Sequence, residues 1–117
     1  MPDEPVRLLK GTLEVMVLKA LSWGPLHGYA VSRWIEDMGG GVFEIQEGAL
    51  YPALRRMEGR GWVSSEWVVT ETGRDARMYR LTAEGRHRLR SEAKDWARYS
   101  AAMARVLDAQ NPALGDG

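Results

Sequence analysis

The chain has 117 residues, 44% hydrophobic and 27% charged, with 16 basic and 16 acidic side chains and no cysteine. That is enough for one domain around a single core, and it excludes disulfides, thiolate nucleophiles and cysteine-based zinc sites. Zero net charge runs against the basic surplus usual for nucleic-acid binders, but bases dominate the C-terminal third (Arg86, Arg88, Arg90, Lys94, Arg98, Arg105) while acids gather near the N-terminus and from Glu36 to Glu47.

The opening residues, MPDEPVRLLKG, hold two acids and no apolar stretch before a cleavage site, so no export signal is read. No apolar run approaches the ~20 residues of a membrane-spanning helix, and cytoplasmic residence is the expectation. Thr12 then reads as the N-cap of a first helix, whose buried stripe is Leu13, Met16, Val17, Ala20 and Leu21. Trp23-Gly24-Pro25 should stop it. A second helix is expected from about His27 to Met38, with Val31, Trp34, Ile35 and Met38 at the spacing of a half-buried face. Gly39 to Gly41 end it, and Val42 to Ile45 alternates as a brief edge strand would.

The third helix is expected to start near Gly48 or Ala49, which puts Pro52 in its first turn, where a missing N–H is no loss. Leu50, Leu54 and Met57 face inward, leaving Tyr51, Arg55 and Arg56 outward, up to the closing Gly59-Arg60-Gly61. A hairpin follows. Trp62 to Val69 alternates, with Val63, Ser65, Trp67 and Val69 on one face, and Arg77 to Leu81 returns through a polar link over 70–76. Thr82 is a good N-cap for a last helix to about Leu107. Along it Leu89, Ala93, Trp96, Ser100, Met103 and Leu107 form a seam of period 3.5, the mark of helix-on-helix packing. A helix this long has little of its own domain to pack on, so the seam predicts a homodimer. Residues 108–117, with Asn111-Pro112, read as a disordered tail.

The fold class is therefore mainly α with a small β-hairpin: a winged helix-turn-helix over residues 8–81 and a long C-terminal dimerisation helix over 82–107. In that plan the third helix fits a major groove about 12 Å wide, and the hairpin tip reaches a neighbouring backbone or minor groove. His27 and His87 lie far apart and make no metal set. With no Ser-His-Asp arrangement, phosphate-binding glycine loop or paired carboxylates, neither enzymatic activity nor a cofactor nor a metal is expected.

Specific runs carry a resemblance. Leu9-Lys10-Gly11-Thr12-Leu13, Leu18-Lys19-Ala20-Leu21, Gly24 to Tyr29, Gly48 to Glu58, and Arg77 to Thr82 followed by Gly85 together resemble the PadR-like transcriptional regulators over about residues 8–107. The single C-terminal helix resembles that family's short subgroup, in which two such helices hold a dimer. The resemblance implies double-stranded DNA as partner. It implies DNA contact by Gln46, Gly48, Ala49, Tyr51, Pro52, Arg55 and Arg56 of the third helix, and by Tyr29 beside the backbone. In the wing it implies Thr72, Gly73, Arg74 and Arg77. Arg55 is the leading candidate for a base or phosphate contact.

The resemblance further implies that Trp96, with Tyr99 and Met103, can line a pore between subunits that takes a small hydrophobic or aromatic effector; the competing reading is plain dimer packing. Two departures stand out: Ala49 replaces the family's usual Ser or Thr, and Glu71, Asp75 and Met78 intrude in the wing. The function expected is sequence-specific repression by a homodimer on an inverted repeat, with half-sites about one helical turn apart. The alternative is a winged-helix module that binds a partner protein without specific DNA recognition.

Overall fold

The computed structural model describes residue 6 and residues 8–112. The opening residues read above for an export signal lie mostly outside that range, as do residues 113–117 of the expected tail. Among the described residues there are four α-helices, a short 3-10 turn (Leu21–Trp23) and a three-stranded antiparallel sheet: α1 (Thr12–Ala20), β1 (Leu26–His27), α2 (Gly28–Met38), α3 (Glu47–Gly59), β2 (Val63–Val69), β3 (Asp75–Leu81) and α4 (Ala83–Asp108). The sheet order is β1-β3-β2. This is the winged helix-turn-helix architecture with a long C-terminal helix.

The apolar spacings predict most of the core, but Met38, expected on the half-buried face of the second helix, is 66% exposed at its end. Leu13, Val17, Leu18 and Ala20 of α1 meet Val31 and Ile35 of α2, and Leu50, Ala53, Leu54 and Met57 of α3 close over them. Val63, Tyr79 and Leu81 seal the sheet side. Tyr79 is buried, and desolvation pushes its hydroxyl pKa up.

The structure corrects four local expectations. Thr12 is the first residue of α1 rather than its cap: Gly11 takes the cap position at φ 86°, and the Thr12 hydroxyl donates to the Leu9 carbonyl at 2.7 Å. Val42 to Ile45 is not a strand. Ile45 is buried while its N–H donates to the Glu36 carboxylate at 2.8 Å, so the alternation there reflects core packing without a ladder. The third strand is instead Leu26–His27, paired with Tyr79 and Met78. Finally, α3 begins at Glu47 with Gln46 as its cap, which puts Pro52 past the first turn. Pro52 therefore cannot supply the N–H that the Gly48 carbonyl would otherwise receive.

At the other end of the wing, Thr82 caps α4 as expected, accepting from the Gly85 N–H at 2.9 Å. The same hydroxyl lies 2.6 Å from the Gly61 carbonyl and 3.0 Å from that of Trp62. The turn that ends α3 and the cap that starts α4 are thus one hydrogen-bonded joint. Leu89 packs on the core, α4 then runs past α1 and on beyond the domain, and the molecule measures 70 × 37 × 21 Å. The helix extends through Asp108, one residue into the segment expected to be tail.

Candidate nucleic-acid interface

With Leu50, Ala53, Leu54 and Met57 turned inward, the 100° step of a helix puts Gly48, Pro52, Arg55 and Gly59 on the opposite, solvent face of α3. Most of that face is small, so the helix backbone itself can approach a flat partner closely. Arg55 is its one long cation. It is exposed and takes part in no salt bridge among the described residues. Arg56, by contrast, turns toward α1, where its Nε lies 3.2 Å from Glu14; Arg60 reaches the same carboxylate at 3.4 Å. The two adjacent arginines are therefore not equivalent.

Tyr51 lies on the opposite flank of α3. Its ring passes over Gly28 at the start of α2 so closely that a Cβ on Gly28 would sit 2.7 Å from Tyr51 Cε1 and Oη. Gly28 is thus the seat of this tyrosine, a role that the sequence signals only as a glycine at a helix start. Ala49 and Gly48 are exposed, and Gln46 donates its amide to Glu44.

Tyr29, 64% exposed at the first turn of α2, accepts a hydrogen bond from Arg33 Nη1 at 3.1 Å. That bond, with the nearby Asp37, holds the Arg33 pKa above its usual value. Arg33 was missed at the sequence level; the Tyr-x-x-x-Arg spacing on one helix face was the available signal.

The wing tip is a closed turn. The Thr70 N–H donates to the Arg74 carbonyl at 2.8 Å, Gly73 to Thr70 at 2.9 Å, and the Thr70 and Thr72 hydroxyls lie 3.0 Å apart. Gly73 has φ 82°, where a side chain would be strained. Arg74 projects from this tip, exposed. Arg77 is tied down: its Nε donates to Ser65 Oγ at 3.0 Å, Ser65 donates to Glu58 at 2.7 Å, and Arg77 Nη2 lies 3.7 Å from the same carboxylate. A continuous polar bridge thereby fastens the wing to the end of α3.

A second concavity lies away from this face. A groove of about 960 Å³ runs between Leu9, Val15 and Met16 on one side and Trp96 and Tyr99 of α4 on the other, with Phe43 and Trp62 also in its lining. The Trp96 and Tyr99 rings are 5.6 Å apart. Met103, grouped with them from the sequence, does not line this groove, but it is exposed further along the helix, as are Ala93, Ser100 and Leu107 of the expected seam. Among the described residues no group of three His, Asp or Glu side chains could hold a metal ion, and no helix is long and apolar enough to cross a membrane.

The sequence model of the Transcriptional regulator PadR-like family matches residues 17–91, more than half of the chain. A curated relative, an uncharacterized 37.1 kDa protein of a transposon in Streptomyces fradiae, is 39% identical over 99 residues, which are 85% of this chain but 26% of that protein. The negative transcriptional regulator PadR of Bacillus subtilis is 25% identical over 84 residues, covering 72% of this chain and 44% of its own length. The chain thus spans well under two thirds of both proteins. A solved PadR family transcriptional regulator from Eggerthella lenta superposes with a TM-score of 0.73 at 32% identity, covering 86% of each chain.

Proposed function

The chain belongs to the PadR-like family of transcriptional regulators, and from that premise we propose that it acts as a homodimeric repressor on an inverted-repeat operator. The observation that carries this reading is the solvent face of α3: small residues around Arg55, which forms no salt bridge among the described residues, flanked by Tyr51 and by a wing tipped with Arg74. Gly48, Ala49 and Pro52 would let the helix backbone settle into the major groove, where Arg55 would contact a base edge or a phosphate. Gln46 and Tyr51 would flank it, Tyr29 would touch the backbone, and Thr72, Gly73 and Arg74 would approach the next phosphate or the minor groove. Arg56, already engaged by Glu14, would add mainly to the local field. The test of the DNA reading is selection from a randomised duplex library followed by binding across salt, since phosphate neutralisation makes affinity fall with ionic strength. A failure to enrich any duplex would favour the partner-protein alternative.

Gly28 offers a test of the Tyr51 seat. In the Gly28→Ala variant the new methyl displaces a side-chain end rather than backbone, so the fold should survive with its thermal midpoint shifted by a few degrees at most. Affinity for the selected duplex should fall several-fold, because Tyr51 must swing out of register. Unchanged affinity would remove Tyr51 from the contact set.

Dimerisation is supported by the seam on α4, whose Trp96, Met103 and Leu107 are exposed in the single chain. A helix of 26 residues is about 39 Å long, and the part of its apolar strip beyond Trp96 (Met103 and Leu107) is left for a second copy to cover. Met103→Asp should convert the dimer to a monomer in light scattering, because a carboxylate cannot be buried unpaired. A variant that still dimerises would place the interface elsewhere. A flat hydrophobic effector would stack on Trp96 and Tyr99 in the groove beside α1, and would act by changing how the two α4 helices pack.

A further inference from the structure

The alternation of β2 puts Val63, Ser65, Trp67 and Val69 on one sheet face, and the register pairs them with Leu81, Tyr79, Arg77 and Asp75 of β3. Val63, Tyr79 and Leu81 on that face are buried against the helices. Two residues further along the strand the core has ended. Trp67 still points to the side where α3 lies, but it is 64% exposed. It is not a loose surface residue, because the Arg77 guanidinium stands 5.3 Å from its ring centroid. Arg77 is in turn fixed by Ser65 and, through Ser65, by Glu58 of α3. An indole held in one place by a chain of polar bonds anchored in α3, with its apolar surface left open to water, is arranged for a partner that approaches α3 and the wing together. Glu58, where that chain of bonds ends, lies three residues along α3 from Arg55, so the ring and that cation stand on neighbouring parts of the molecule.

We propose that Trp67 is a DNA-contacting residue, laying its indole against the sugars at the edge of the minor groove, and that Arg77 is a positioning residue that holds the ring. The inference rests on the DNA-binding reading above. Its chemistry differs from that of the wing-tip cation. An apolar contact to sugars neutralises no phosphate and so releases no counterions. Arg77, its charge shared with Glu58, supplies orientation rather than phosphate neutralisation.

The experiment uses the duplex enriched from the randomised library, with anisotropy measured at several salt concentrations for the parent, Trp67→Ala, Trp67→Phe and Arg77→Gln. Trp67→Ala should weaken binding about tenfold, the loss expected when roughly 55 Å² of apolar ring surface is no longer covered. The slope of log affinity against log salt should stay that of the parent. Trp67→Phe should recover most of the loss, and Arg77→Gln should weaken binding with the slope likewise unchanged. The thermal midpoint of Trp67→Ala should stay near that of the parent, because an exposed ring contributes little to the fold. Binding by Trp67→Ala within twofold of the parent would overturn the contact. A slope for Arg77→Gln lower by about one would mean that Arg77 itself neutralises a phosphate and would overturn its positioning role. If the library enriches no duplex for the parent, the DNA-binding reading itself falls, an outcome distinct from parent and variant binding alike.

Discussion

Gly85→Ala is expected to destabilise the protein by about 3 kcal/mol or more, a drop in thermal midpoint on the order of 10 °C for a domain of this size. A methyl at this position would lie 2.0 Å from the Trp62 carbonyl oxygen and 2.7 Å from Leu81 Cδ1. The first of these is backbone and has no rotamer into which to retreat. The sign is the informative part. Gly85 lies within α4, where alanine would ordinarily stabilise by about 0.5–1 kcal/mol relative to glycine. Gly59, at the end of α3, has nothing within 4 Å of a built Cβ, so Gly59→Ala should behave in that ordinary way and serves as the control. Thermal melts of the two variants beside the parent decide the point. Equal midpoints would mean that the joint between α3 and α4 yields more easily than its hydrogen bonds indicate.

The second large effect concerns binding. Arg55→Ala should lower affinity for the selected duplex by roughly 10- to 100-fold, the loss of a well-made arginine contact being worth about 1–3 kcal/mol. If the contact is to phosphate, the salt slope should also drop by about one; if it is to a base edge, discrimination at one operator position should relax instead. Arg56→Ala should cost far less, because Arg56 is spent on Glu14, and exposed pairs of this kind contribute about 0–1 kcal/mol. The comparison is sharp because the two residues are adjacent in sequence and alike in chemistry. Equal losses from both substitutions would mean that the field of the helix matters and no individual contact does.

Much of this was legible from spacing. Leu50, Leu54 and Met57 are buried as their steps along α3 require, and the alternating face of β2 and the Thr82 cap were both readable. What escaped depends on contacts between segments distant in sequence. A two-residue strand such as Leu26–His27 has no pattern of its own; it exists because β3 offers a free edge. Phe43 and Ile45 alternate like a strand but obey the core. Arg55 and Arg56 look interchangeable until Glu14 of α1 arrives beside one of them, 42 residues away. Alternation puts Trp67 on the same face as Val63, but it does not reveal where along a strand the core stops. The glycines behave similarly: Gly28 and Gly85 are constrained by the Tyr51 ring and the Trp62 carbonyl, neighbours that only the folded chain supplies.

The shared joint at Gly61, Trp62 and Thr82 has a mechanical consequence. It is a fulcrum, with α3 as the short arm and α4 as the long one. A tilt of about 5° about that point carries the far end of a ~39 Å helix by roughly 3 Å, comparable to the rise of one base pair. Conversely, a shim a few ångströms thick between two such long arms would rotate each short arm by only a few degrees. In the proposed dimer, two recognition surfaces meeting successive turns of a duplex would tolerate little of that rotation. Sensitivity to a small spacer would then come from leverage and would require no change within the winged domain itself.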